Sequence, residues 1–320
     1  MAGTGSRAPR AAAGRVAAAA VGAALAACAG PGTVTPPPAG GPATAPASAV
    51  AGATAAAGGN DAAEAGVPAQ IAIASSDLAV GPQRFAFAIL DPSGALIQDA
   101  EAEVTFFDLA TQTARETGRA AATFYPAALE PAGLYVVDTT FDRAGAWGAA
   151  IEATLPGGGR IAPQRVRFQV AERSRAPAVG DAPPPTANRT TATEPDLARL
   201  TSDPHPDPDL YAMTVDEAAA SGRPTVVVFA TPAFCQSLIC GPVVDEVKRA
   251  KAAWGERANF IHVEVYQSFD PLVFADEMAA WGLETEPWTF VLDADGRIAA
   301  RLEGSVTAAE LEPILRRLTE

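Results

Sequence analysis

Side chains able to act as bases or metal ligands are scarce in this chain. Its 320 residues include two histidines and three cysteines, and among 23 basic residues only Lys248 and Lys251 are lysines. The strong excess of arginine over lysine reads as the coding bias of a GC-rich bacterium. Histidine-based catalysis and polyhistidine metal sites therefore have almost no candidates. Net charge is −14 and the pI about 4.6. Nucleic-acid binding needs a basic face, which this balance argues against. Aromatic residues are 7% of the chain, and none occurs between residues 11 and 66. Long apolar runs are missing too. Hydrophobic residues reach 48%, yet much of that is alanine concentrated near the N-terminus. The length allows about two domains.

The N-terminal residues read as an address. Arg7, Arg10 and Arg15 precede any acid, and Val16 to Ala27 is an unbroken run of small apolar residues. Twelve residues rise about 18 Å as a helix, short of the ~30 Å hydrocarbon core. A basic stretch and a short apolar run make an export signal, assigned to residues 1–27. It ends in Leu25-Ala26-Ala27-Cys28, which resembles the lipobox of bacterial lipoproteins. The resemblance implies lipidation at Cys28, a membrane anchor and a place on the extracytoplasmic face of the cell membrane. Cleavage would leave 20 basic against 37 acidic residues, net −17, so surface charge would not hold the chain to an anionic bilayer. Residues 28–68 then form a disordered tether. Of residues 29–68, 34 are Ala, Gly, Pro, Ser or Thr, too little apolar bulk to offset ordering entropy.

Residues 69–171 change to period two. Ile71 and Ile73, then Phe85, Phe87 and Ile89, alternate with small residues, and Arg165-Val166-Arg167-Phe168-Gln169-Val170 alternates strictly. Such alternation marks strands with one buried face. Turn signals at Asp91-Pro92-Ser93-Gly94, Pro131-Ala132-Gly133 and Pro156 to Gly159 separate them. About seven short strands predict an immunoglobulin-like all-β sandwich, serving as a spacer or docking module. Residues 172–208 read as a Pro/Asp-rich, solvated linker, whose last part belongs to the run Asp203-Pro-His-Pro-Asp-Pro-Asp209 at the domain boundary.

Residues 209–320 carry the chemistry. Thr214-Val-Asp-Glu217 is a capping box, and Pro224 to Ala230 is an apolar, β-branched run of a buried parallel strand. Cys235 and Cys240 follow. Val243, Val247, Ala250 and Trp254 then share one helical face. Phe260 to Tyr266 reads as a second strand. Asp270-Pro271 reads as the start of a helix that turns Phe274, Met278 and Trp281 inward. Trp288 to Leu292 and Arg297 to Leu302 form a hairpin across Asp293-Ala-Asp-Gly296, and Thr307 caps a last helix. The order β-α-β-α-β-β-α, the cysteine pair after the first strand and Pro287 ahead of the third resemble the α/β fold of thioredoxin-like proteins. Trp288 to Ile298 is similar to the hairpin of extracytoplasmic, redoxin-type thiol–disulfide oxidoreductases. The resemblance implies that Cys235 and Cys240 are catalytic, with Pro287 holding substrate backbone beside them. It also implies partners that are exported protein thiols or disulfides plus a further redox protein, and no cofactor or metal.

The spacing departs from the family's Cys-x-x-Cys. Five residues turn a helix by about 500°, whereas a disulfide needs Cα atoms within about 7 Å. One cysteine, taken as Cys235, must therefore lie in a loop ahead of the helix. Two registers stay open. Counting from Phe229 places Cys235 at the family's nucleophile, while Cys240-Gly-Pro-Val243 matches its Cys-Gly-Pro-Cys with the last cysteine replaced. Three functions compete: exchange, with Cys235 attacking and Cys240 resolving; a structural disulfide in a binding lipoprotein; and copper handling of the Sco type. The last lacks a histidine downstream of His262.

Overall fold

The computed structural model describes residues 66–126, 133–235 and 239–320. The signal segment, Cys28, nearly all of the tether, and Pro131 and Ala132 lie outside the described residues. No helix among those described is long and apolar enough to cross a membrane.

The first half is built from two four-stranded antiparallel sheets. One joins β1 (Gln70–Ile73), β2 (Gly81–Leu90), β6 (Gly133–Phe141) and β5 (Thr123–Pro126) in the order β1-β2-β6-β5. The other joins β3 (Glu101–Asp108), β4 (Arg115–Ala121), β7 (Gly145–Thr154) and β8 (Arg160–Val170) in the order β4-β3-β7-β8. The alternating residues named above face one shared core. Phe85, Phe87 and Ile89 from one sheet pack with Phe106, Trp147 and Val166 from the other. Tyr135 is buried with its hydroxyl donating to Ile97 O at 2.9 Å and accepting from Ala100 N at 3.0 Å. Strand β4, Arg-Glu-Thr-Gly-Arg-Ala-Ala, is almost wholly exposed, so it carries no hydrophobic alternation.

The C-terminal half has one four-stranded sheet, in the order β10 (Asn259–Glu264), β9 (Thr225–Ala230), β13 (Trp288–Leu292) and β14 (Ile298–Glu303). β10 runs parallel to β9, and β13 antiparallel. Side chains alternate between two covered faces, which explains the unbroken apolar run of β9. Val226, Val228 and Ala230 pack against α3 (Cys240–Trp254) and α5 (Ala308–Thr319). Val227 and Phe229 pack on the other side with α2 (Val215–Ala219), Met278 and Trp281. Thr214 and Glu217 form the capping box at the start of α2.

Two expectations are corrected. Asp270-Pro271 does not begin a helix. It turns a hairpin between β11 (Tyr266–Phe269) and β12 (Leu272–Phe274), and α4 covers only Asp276–Ala280. Phe274 is consequently 58% exposed rather than inward. The segment before the C-terminal domain is not a solvated linker either. Thr186, Asn188, Thr190, Leu200 and Thr201 are buried, and α1 (Leu197–Leu200) docks Leu200 into the α3/α5 core. Asn188 Oδ1 accepts from Val215 N at 2.8 Å, and Trp281 Nε1 donates to Thr186 Oγ1 at 2.7 Å. Its aspartates, which suggested solvation, are matched to the chain's two lysines. Lys248 pairs with Asp203 at 2.6 Å, and Lys251 with Asp207 at 2.8 Å and Asp209 at 2.7 Å.

Burial alone would lower the Lys248 pKa, but the bonds and charges of Asp203 and Asp245 outweigh it and raise the value. A raised amine pKa means stability that is present below the unfolded pKa and lost as pH rises through the folded one. Lys248→Ala would strand Asp203, whose side chain is 6% exposed. The pair is only partly buried, so the expected loss is about 2 kcal/mol in urea unfolding at neutral pH, the cost of leaving a buried acceptor without its donor. A loss under about 0.5 kcal/mol, the usual value for an exposed pair, would show that the Lys248–Asp203 pair does not hold this segment in place.

Candidate functional site

The end of β9 places the cysteine pair. After Ala230 the chain turns, with Phe234 N and Cys235 N both donating to Thr231 O at 3.3 and 3.1 Å. Cys235 lies in this loop and Cys240 is the first residue of α3. The two form a disulfide with Cα atoms 6.0 Å apart. This is the loop-then-helix placement that the five-residue spacing requires. Cys235 is 6% exposed and Cys240 is fully buried. Ile239, before the helix, makes no side-chain cap. The positive end of the α3 dipole therefore lies at the Cys240 turn.

Pro287 reaches the same place from β13. Trp288 pairs with Phe229 of β9, and the Glu286–Pro287 peptide is cis. Glu286 is the residue that the sequence reading passed over. Its carboxylate and the two sulfurs all lie within 4.8 Å of one another. Burial pushes the Glu286 pKa up, and its charge in turn raises that of the Tyr266 phenol. These three residues are the group at this site that could hold a metal. The signal was Glu286's place beside Pro287, but without the fold nothing set it apart from the chain's other acids.

The packed segment supports the loop. Ser202 Oγ donates to Glu264 at 2.7 Å and accepts from Ala233 N at 3.2 Å. Behind the loop, His262 is buried and fixed between Tyr211 and Ala230. On the open side, Phe234 contacts Tyr266 and Phe269 with ring centroids 5.9 and 5.5 Å apart, and Tyr266 stacks on Phe274 at 4.8 Å. An aromatic chain therefore leads from the neighbour of Cys235 to a hairpin where Leu272, Val273 and Phe274 are exposed.

Residues 211–319 match the thioredoxin-like domain family. The solved structure of a thioredoxin-family thiol:disulfide interchange protein from Chlorobium tepidum TLS is similar at 17% identity and a TM-score of 0.27, covering 33% of this chain and 90% of that one. The structure of MtrC from Shewanella baltica OS185 is similar at 12% identity and a TM-score of 0.26, covering 48% of this chain and 29% of that one. This chain thus spans under a third of the MtrC length. No curated protein matches the chain. The C-terminal domain is thioredoxin-like, and its close-spaced cysteines form a disulfide.

Proposed function

We propose that the thioredoxin-like domain performs thiol–disulfide exchange on exported proteins, through Cys235 and Cys240 with Pro287 alongside. The observation that carries this reading is the Cys235–Cys240 disulfide at the start of α3, with the carboxylate of Glu286, the residue before Pro287, within 4.8 Å of both sulfurs. In the reduced protein, the Cys235 thiolate attacks a substrate disulfide. One substrate sulfur leaves as thiolate and a mixed disulfide forms. The Cys240 thiolate then attacks Cys235 Sγ, restoring the internal disulfide and releasing the second substrate sulfur. Two electrons pass to the substrate, and the reverse sequence oxidises it. The greater exposure of Cys235 supports it as the attacking sulfur.

Cys240→Ser is expected to accumulate intermolecular disulfides in cells and Cys235→Ser to accumulate none. The opposite pattern would reverse the order of attack, and no trapping by either variant would remove the exchange reading. Burial of both sulfurs favours a second reading, a structural bridge in a binding protein. Reduction potentials separate the two: about −270 to −120 mV spans known catalysts, whereas structural disulfides lie below about −300 mV.

We place the protein at the extracytoplasmic face of the cell membrane, anchored by lipid at Cys28, with the N-terminal β domain as an immunoglobulin-like spacer or docking module. Cys28→Ala is expected to leave the precursor unprocessed or release the protein to the soluble fraction. Unchanged mass and membrane fractionation would overturn the anchor.

A further inference from the structure

We infer that the reduced Cys235–Cys240 pair and Glu286 together form a binding site for a thiophilic d10 divalent cation of the zinc class. The three ligand atoms lie within 4.8 Å of one another. Tetrahedral zinc, with bonds of about 2.3 Å to sulfur and about 2.0 Å to oxygen, holds its ligand atoms about 3.5–4 Å apart, a spacing the sulfurs, bonded to each other here, reach by separating on reduction. The ligand set also selects the ion. Two thiolates alone suffice for Cu(I), whereas a carboxylate added to them suits a divalent ion of intermediate softness. No hydrogen bond or ion pair among the described residues occupies the Glu286 carboxylate, so it is free to ligate. Three anionic ligands around a divalent ion leave one net negative charge. The N-terminal end of α3, with its first residue a ligand, accommodates that charge. Three protein ligands leave a fourth position open to water or substrate.

The site is gated by redox state. A phosphine or dithiol reductant supplies two electrons, and two protons convert the disulfide to two thiols. The cation then displaces both thiol protons to solvent and bonds to the thiolates. In the oxidised protein the sulfurs are bonded to each other and the site does not exist. This inference goes beyond the exchange reading and does not depend on it. Trapping by Cys240→Ser without metal tests exchange, and metal titration of the wild-type chain tests the site, so either can fail alone.

The experiment titrates the full protein with Zn(II) against a chromophoric chelator, after reduction by a thiol-free phosphine and, separately, in the disulfide form. One equivalent should bind the reduced protein and none the oxidised. Glu286→Gln should weaken binding at least about tenfold, since even loss of an outer-shell partner costs 10–100-fold. Equal binding by reduced and oxidised protein would overturn the proposal, as would wild-type affinity in a folded Glu286→Gln. Should that variant not fold, Co(II) added to the reduced wild type decides the matter. Thiolate-to-cobalt charge-transfer bands with intense tetrahedral d–d absorption support the site, and their absence overturns it.

Discussion

Arg84→Ala should destabilise the folded protein by about 3–5 kcal/mol, the usual cost of removing one partner of a buried ion pair. Arg84 belongs to β2 of the N-terminal β domain, yet its guanidinium is spent on the other half of the chain. Nε reaches Glu310 Oε1 at 2.6 Å and Nη2 reaches Oε2 at 3.0 Å, a bidentate pair. The same group donates to Glu303 O at 2.9 Å and Ser305 O at 3.0 Å. The two side chains are 9% and 7% exposed. Alanine would leave a desolvated carboxylate and two carbonyls without donors. Arg84→Lys should recover only part of the loss, because an ammonium cannot form the bidentate fork.

A second salt bridge stands beside the first. Arg301 Nη2 meets Asp77 at 2.8 Å, and Ser76 N donates to Glu303 at 2.8 Å. With both in place the two halves should unfold together. In Arg84→Ala, the fluorescence of Trp147, which lies in the β domain core, should separate from that of Trp254, Trp281 and Trp288 along a urea titration. A paired Arg84→Met/Glu310→Leu change should restore most of the stability, since apolar replacement of a buried pair is often neutral. A single coincident transition and a loss under about 1 kcal/mol would show that the halves are held by other contacts.

That coupling is the part of the molecule least visible in the sequence. Strand alternation exposes Phe85, Phe87 and Val166 as core residues because burial with period two leaves a direct trace. Arg84 sits in the same alternation at a polar position, where an arginine facing solvent and one facing a neighbouring domain look alike. The Asp203 to Asp209 stretch misleads for a related reason. Acid and proline density signals solvation only while the counter-charges are unknown, and here they are Lys248 and Lys251 on one helix. Asp270-Pro271 fits a helix start by composition, but Tyr266 and Phe274 stack across it as a hairpin. The cysteine site was more legible. The turn of a helix bars two bridged cysteines at this spacing from one regular helix, and Cys235, the one taken to precede it, does lie ahead of α3. Glu286 was not legible, because its meaning depends on β13 lying against β9.

Acidification should weaken the wild type more than a His262→Gln variant, by up to about 1.4 kcal/mol per pH unit below about 6.5. His262 is 1% exposed on β10. Its Nε2 lies 3.0 Å from Ala230 O, which can only accept, so Nε2 carries the proton. Nδ1 therefore accepts from the Tyr211 hydroxyl at 2.7 Å. Both partners are satisfied by neutral imidazole, and a second ring proton would face the hydroxyl's own. Desolvation pushes the His262 pKa down. Glu264, the bond to Ala230 and Asp203 pull upward, Lys248 adds to the depression, and the depression prevails. Burial likewise raises the Tyr211 pKa, so that the phenol stays a donor. The sign follows. Below the unfolded pKa the unfolded chain takes up a proton that the folded chain refuses, so stability is intact above about pH 6.5 and falls as pH drops toward the folded value. Carboxylates titrate in the same range, which is why the comparison is between the two slopes rather than of either alone. Parallel slopes from pH 7 to 4.5 would mean that His262 is protonated in the fold, with Glu264 rather than burial deciding its charge.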